Sequence, residues 1–73
     1  MRIIITKHAR QRLKELRQSN IIETDIINAT YGIPGFIPSA TRFRNFFADS
    51  GRVFDLVIKD TASCRLVITI IGK

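Results

Sequence analysis

Cysteine, histidine and tryptophan are the residues that this 73-residue sequence has least of, and their scarcity removes several kinds of site. A single cysteine, Cys64, cannot build an internal disulfide framework. One cysteine with one histidine, His8, cannot supply a Cys/His zinc site either. We therefore expect no metal and no cofactor. Such sparing use of cysteine is typical of the reducing cytoplasm, where we expect the protein to lie.

Long hydrophobic runs are also missing. No apolar stretch approaches the roughly 18 residues of a membrane-spanning helix. The isoleucine-rich start reaches Lys7 too early for a signal peptide, so we expect no export and no contact with a membrane. Length sets a further limit, because a chain of this size buries only about 60% of its unfolded surface. We predict a single domain over residues 1–73, in which any active site is a shallow groove.

Negative charge is scarce as well. Six Asp and Glu residues face twelve Lys and Arg residues, which gives a formal net charge of +6. A surface of that sign concentrates polyanions, and most of the cations are arginine, which binds phosphate with two hydrogen bonds. RNA or DNA is therefore the partner that composition favours. Solubility alone is the simpler explanation, and composition does not decide between them.

The apolar pattern predicts two helices and four strands. In chain order these are a strand at 2–6, a helix at 7–18, a helix at 23–31, and strands at 41–47, 52–59 and 64–71. Gly32, Pro34, Gly35 and Pro38 separate the helices from the later strands. The order β-α-α-β-β-β predicts an α+β fold, with an antiparallel helical hairpin packed on one face of a small antiparallel sheet.

Alternation along the strands predicts which side chains each face carries. The face that we expect to be buried carries Phe43, Phe47, Phe54, Leu56, Ile58, Cys64, Leu66, Ile68 and Ile70. The opposite face would then carry Arg42, Arg44, Phe46, Asp55, Lys59, Arg65 and Thr69. Cations around one aromatic ring suit a phosphate backbone with an unstacked base. A solvated sheet face is the alternative.

The first predicted helix adds a second group of cations. At 100° per residue one outward stripe contains Lys7, Arg10, Lys14 and Arg17, and these residues suit a phosphate backbone as well as they suit plain solvation. His8 and Arg12 fall on another flank, one turn apart. A neighbouring cation disfavours the charged imidazole, so His8 could accept a proton from a ribose 2′-hydroxyl. A purely structural role for this histidine is the alternative.

These residues outline a cleavage of RNA that needs no metal. His8 would act as the base, Arg42, Arg44 or Arg65 would stabilise charge on the phosphoryl oxygens, and Thr69 would donate a hydrogen bond. No second histidine and no carboxylate pair stands ready as the general acid.

The element order, the small size and the basic charge resemble the RelE/ParE-like superfamily of toxin-antitoxin toxins. The run Thr6-Lys7-His8-Ala9-Arg10-Gln11-Arg12-Leu13, followed later by Gly51-Arg52-Val53-Phe54 and Arg65-Leu66-Val67-Ile68-Thr69, is similar to a family of small uncharacterised bacterial domains. Those domains begin with a His-Ala-x-x-Arg helix and end in a Gly-Arg strand and a Val-x-Thr strand. The resemblance spans almost the whole chain.

The resemblance implies a metal-independent endoribonuclease whose site would comprise His8, Arg12 or Arg42, and Thr69. It also implies a more acidic partner protein, an antitoxin. The alternative is a non-catalytic nucleic-acid or protein-binding module, such as a ParE-like inhibitor or a phage or plasmid regulator. A structural domain whose charge serves solubility is a third reading. Pairing of the Ile-rich first or last strand at the sheet edge is one route to a homodimer.

Overall fold

The computed structural model describes residues 2–73, which form two α-helices and a four-stranded mixed sheet. The strands are β1 (Arg2–Ile5), β2 (Thr41–Phe47), β3 (Val53–Asp60) and β4 (Cys64–Gly72). The helices are α1 (Lys7–Leu13) and α2 (Glu23–Tyr31), with a 3₁₀ turn at Leu16–Gln18 between them. The α+β class is confirmed, and the predicted bounds of α2 and β2 match the structure.

The sheet is mixed rather than antiparallel. Its strand order is β1-β4-β3-β2, in which β2, β3 and β4 form an antiparallel meander. β1 pairs with β4 in parallel, so the prediction of a purely antiparallel sheet is wrong at this strand. Parallel neighbours need a long connection, which the helices and the β2–β3 hairpin provide here. Thr6 prolongs the pairing through its hydroxyl, which donates to the Ile68 carbonyl at 3.2 Å.

The first helix is shorter than predicted. It ends at Leu13, and Glu15 has extended backbone angles (φ −73°, ψ 150°) before the 3₁₀ turn begins. The buried amide of Gln18 explains this ending, because its Nε2 donates to the Arg12 carbonyl at 2.9 Å. Its Oε1 accepts from the Gly72 backbone N–H at 3.2 Å. Gln18 thus supplies a hydrogen-bond donor to a backbone carbonyl at the C-terminal end of α1, and it joins this helix to β4.

Gly72 lies where no larger residue fits. A Cβ at this position would stand 2.5 Å from the Arg17 carbonyl oxygen and 2.9 Å from Gln18 Oε1. The close approach of β4 to the 3₁₀ turn therefore depends on glycine.

A β-bulge in β2 changes the predicted faces of its phenylalanines. Phe43 pairs with Leu56 and Phe46 with Phe54, so Arg44 and Asn45 together oppose one residue of β3. Asn45 adopts a left-handed conformation (φ 66°), which asparagine tolerates better than most residues. Phe43 and Phe46 consequently both pack against the core, whereas Phe47 is 73% exposed. The predictions that Phe47 is buried and Phe46 lies on the opposite face are wrong.

A second bulge, in β4, has the same effect. Val57 pairs with Thr69 and Ile58 with Val67, so Ile68 is an extra residue in β4. Alternation reverses across it, and the residues that reach the core are Val67 and Ile70. Leu66 and Ile68 are half-buried and outside the buried core, contrary to prediction.

The core defines two faces of the sheet. Ala9 of α1 and Ile26 of α2 belong to one buried cluster with Phe54, Leu56, Ile58, Val67 and Ile70 of the sheet. We call this side of the sheet the inner face. Arg42, Val57 and Thr69 form a paired row across β2, β3 and β4 on the opposite side, which we call the outer face.

Arg65 lies on the inner face, where it is only 5% exposed. Its Nε and Nη2 donate to the two carboxylate oxygens of Asp60 at 2.7 and 2.9 Å. Nη1 donates to the carbonyls of Thr30 and Ile33, and Nη2 donates also to that of Gly35. All five N–H donors are used. The prediction that Arg65 lies on the uncovered face of the sheet is wrong, because the β4 bulge turns it inward to join α2 and the following loop to the sheet.

We expect Arg65→Met to destabilise the fold by about 3 to 5 kcal/mol, because it leaves the buried Asp60 carboxylate without its cation. Arg44→Met removes the same charge from an exposed residue and should change stability by no more than about 0.5 kcal/mol. Urea unfolding followed by circular dichroism measures both. Equal losses in the two variants would show that the buried network contributes nothing specific.

Candidate nucleic-acid interface

Basic side chains border the outer face of the sheet. Arg2 pairs with Cys64 and Lys59 with Leu66, on the same side of the sheet as the Arg42 row. The backbone N–H of Lys73 donates to the Val53 carbonyl, and its ammonium group reaches across β3 towards β2. Arg44 is exposed at the β2 bulge. Arg42, Arg44 and Lys59 are thus accessible, as the sequence predicted.

Carboxylates are nearly absent from this face. Among residues 2–73, Asp55 is the only acidic residue on it, since Glu15, Glu23, Asp25 and Asp49 belong to the helices and turns and Asp60 to the inner face. Glu23 pairs with Arg10 and Glu15 lies 3.7 Å from Arg12. The outer face therefore carries most of its positive charge without compensation.

Asp55 organises the cations next to it. Its side chain is fully buried, and its Oδ2 accepts from Arg42 Nε at 2.9 Å and Nη2 at 2.7 Å. Its Oδ1 accepts from the Asn45 backbone N–H at 2.9 Å and lies 3.2 Å from Lys73 Nζ. Lys73 Nζ also donates to Asn45 Oδ1 at 2.9 Å. One carboxylate thus fixes two cations and the left-handed residue of the bulge.

The acidity of Asp55 reflects this arrangement. Burial raises its pKa, but hydrogen bonds from Asn45, Arg42 and Lys73 outweigh burial and lower the pKa to about 2. Asp55 is therefore ionised at neutral pH, as expected for a carboxylate between two cations. A group held in this state is a structural anion and a poor general acid.

Apolar side chains fill the middle of the outer face. Val53, Val57 and Ile71 are half-buried there, and Ile4 and Leu66 continue the strip towards β1. Phe47 lies at one end, paired with Val53. The face thus combines an apolar strip, basic borders and one exposed ring, although the ring is Phe47 rather than Phe46.

The structure separates the four predicted catalytic residues into two pairs. Arg42 and Thr69 stand in one row of the outer face, two strand spacings or about 10 Å apart. His8 and Arg12 lie on α1, which packs against the inner face through Ala9. His8 is exposed and Arg12 is half-buried beside Glu15. A single site built from all four residues does not follow from this arrangement.

The predicted cationic stripe is interrupted. α1 ends before Lys14 and Arg17, and Arg17 belongs to the 3₁₀ turn. Arg10 is paired with Glu23. Lys7, Lys14 and Arg17 are exposed, but they do not continue one helical face.

Arg52 has a role that the sequence did not reveal. Its Nη1 donates to the Ser19 carbonyl and its Nη2 to the Arg17 carbonyl, each at 2.7 Å. The Gly51-Arg52 pair thereby joins the β2–β3 turn to the segment between the helices, and Gly51 supplies the positive φ of 91° that the turn requires. This part of the motif serves the fold.

A groove of about 220 Å³ opens beside α2 on the inner side of the sheet. It is lined by Ile3, Thr30, Tyr31, Ile33, Gly35 and Arg65. Because every donor of Arg65 is already used within the protein, the groove presents no unpaired guanidinium group to a ligand.

Within the described part of the chain, no three His, Cys, Asp or Glu side chains lie close enough together to hold a metal ion. No helix over residues 2–73 is long and apolar enough to cross a membrane.

Comparison with known proteins adds no assignment. No family model, curated protein or solved structure matches the chain significantly. The outer face and its chemistry are therefore the basis for any proposal of function.

Stability should fall in acid because Asp55 and Asp60 both have lowered pKa values in the folded protein. A lowered pKa stabilises the fold above the unfolded value of 3.8, and this contribution disappears as the pH falls towards about 2. Urea midpoints measured across this range should decrease with pH. Asp55→Asn should be less stable at pH 7 and show a shallower decrease. An identical slope in the variant would contradict this assignment.

Proposed function

We propose that this protein is a small, toxin-like RNA-binding protein whose outer sheet face takes the RNA. The observation that carries the proposal is the charge distribution on that face. Arg2, Arg42, Lys59 and Lys73 border an apolar strip, and one buried carboxylate is their only acidic neighbour in the described residues. Phosphates would meet the cations while bases cover the strip.

Salt dependence tests this proposal. Affinity for a short unstructured oligoribonucleotide should fall linearly with the logarithm of salt concentration, because bound phosphates release counterions. Lys59→Gln should reduce that slope by about 1, whereas Lys14→Gln, which removes an exposed lysine near α1, should leave it unchanged. Fluorescence anisotropy gives both slopes. Absence of binding would refute the proposal, and the reverse pattern would place the RNA on the helical side.

Metal-independent cleavage of RNA is the catalytic extension of the proposal. Its support is His8, an exposed imidazole in the first turn of α1 with Arg12 one turn further along. His8 would take the 2′-hydroxyl proton, and neighbouring cations would stabilise the phosphoryl oxygens. We propose in addition that the helices cover one face of the sheet as they do in RelE/ParE-like toxins. A more acidic protein would neutralise the toxin.

A non-catalytic module is the second candidate, and one observation favours it. Arg42 and Thr69 lie on the outer face, whereas His8 and Arg12 lie on a helix that packs on the other face. The cations would then hold RNA, or another polyanion, while His8, the candidate general base, lies too far from the bound phosphate to act on it.

Incubation with RNA in the presence of a chelator distinguishes the two candidates. If the protein is a metal-independent nuclease, labelled tRNA and mRNA should be cut, and His8→Ala should lower the rate by about 100-fold or more. Gln11→Ala, an exposed change in the same helix, serves as the control. Binding without cleavage by the native chain supports the non-catalytic module. Cleavage that His8→Ala leaves intact would exclude His8 as the base.

A further inference from the structure

Phe47 and the Asp55 cluster lie side by side at one end of the outer face. Phe47 pairs with Val53, and Val53 is two residues, or about 7 Å, from Asp55 along the same face of β3. Lys73 extends from beside Val53 to Asp55 and Asn45. An exposed aromatic ring thus stands next to two cations whose positions one carboxylate fixes.

The cluster has donors left over. Arg42 uses Nε and Nη2 on Asp55, and its Nη1 makes no hydrogen bond among the described residues. Lys73 Nζ has three protons and two oxygen neighbours, Asp55 Oδ1 and Asn45 Oδ1. Both side chains are partly exposed, at 40% and 36%. With one carboxylate between two cations, the cluster has a net charge of +1 and favours an anion.

Phe47 has the most exposed phenylalanine ring among residues 2–73. The ring is 73% exposed, although β2 places two other phenylalanines against the core. The β2 bulge at Arg44 and Asn45 turns Phe47 outward, and the Asp55 hydrogen bond to the Asn45 N–H maintains this bulge. Aromatic rings beside cations are the usual platform for unpaired bases, because every base has a face that can stack.

We propose that Phe47, Arg42 and Lys73 form a subsite for one nucleotide of single-stranded RNA. The base of this nucleotide stacks on Phe47, and the phosphate of the same nucleotide binds Arg42 Nη1 and Lys73 Nζ. A base inside a duplex is already stacked and paired, so the subsite selects unpaired RNA over a duplex. This inference rests on the proposed RNA binding and adds to it the state of the RNA and the residues that read it.

The test compares Phe47→Leu with Phe36→Leu. Phe36 is also an exposed phenylalanine, at 58%, but it lies in the loop before β2. Phe47→Leu should weaken binding of a single-stranded oligoribonucleotide by about 5- to 100-fold, the effect of one stacked base. The salt slope should stay the same because no charge is removed. Phe36→Leu should leave affinity unchanged.

Two further readouts separate stacking from a general loss of binding. A strand that contains 2-aminopurine should lose fluorescence on binding the native protein and lose less on binding Phe47→Leu. A hairpin duplex should bind the two proteins equally. Lys73→Gln should weaken both RNAs and lower the salt slope by about 1. Urea unfolding of each variant checks that the fold is retained.

The outcomes keep this inference distinct from the proposed function. If native protein binds no RNA, both fail. If it binds RNA with the expected salt slope but Phe47→Leu and Phe36→Leu behave alike, the nucleotide subsite is refuted and RNA binding stands. If Phe47→Leu weakens duplex and single strand equally, selection for unpaired RNA is refuted.

Discussion

The two β-bulges are the constraint on which the arrangement of this protein depends. Each inserts one residue into a strand of the meander and reverses the alternation beyond it. In β4 the reversal turns Arg65 inward and Thr69 outward. In β2 it places Phe46 in the core and exposes Phe47. The charge and aromatic content of each sheet face follow from these insertions.

Two buried carboxylates fix the two faces in different ways. Asp60 holds Arg65, whose remaining donors all reach backbone carbonyls, so this pair supports the inner side and has nothing left for a ligand. Asp55 holds Arg42 and Lys73 at the outer side, and among the contacts of residues 2–73 both cations retain unused donors. An ion pair of similar chemistry thus joins helix, loop and sheet on one face and leaves partly exposed cations on the other.

Sequence patterns predicted most elements because their signals are local. Alternating β-branched and aromatic residues mark the strands, and early acids with Gly32 mark α2. The bulges gave no such signal, since the left-handed position in β2 is an asparagine rather than a glycine. The early end of α1 depends on Gln18, whose side-chain amide donates a hydrogen bond to the Arg12 carbonyl and accepts one from Gly72, 54 positions further along the chain. Long-range contacts of this kind cannot be inferred from local periodicity.

The candidate site was predicted in part for the same reason. Arg42 and Lys59 were assigned correctly to an exposed surface because Arg42 precedes the bulge and Lys59 lies on the regular strand β3, whereas Arg44 is exposed within the bulge itself. Arg65 and Phe46 were misassigned because each lies across a bulge from the residues that set the expected alternation. His8 and Thr69 are separated because α1 packs on the inner face while Thr69 lies on the outer face. The alternation of residues along a strand does not predict on which face a helix packs.

We propose that RNA contacts the outer face of the sheet, and backbone NMR during titration with single-stranded RNA tests this proposal most directly. We expect chemical shifts to change along Arg42, Val57 and Thr69 and around Phe47 and Lys73. The amides of α2 should remain unchanged. Shift changes confined to α1 and the 3₁₀ turn, with the outer face unaffected, would contradict it.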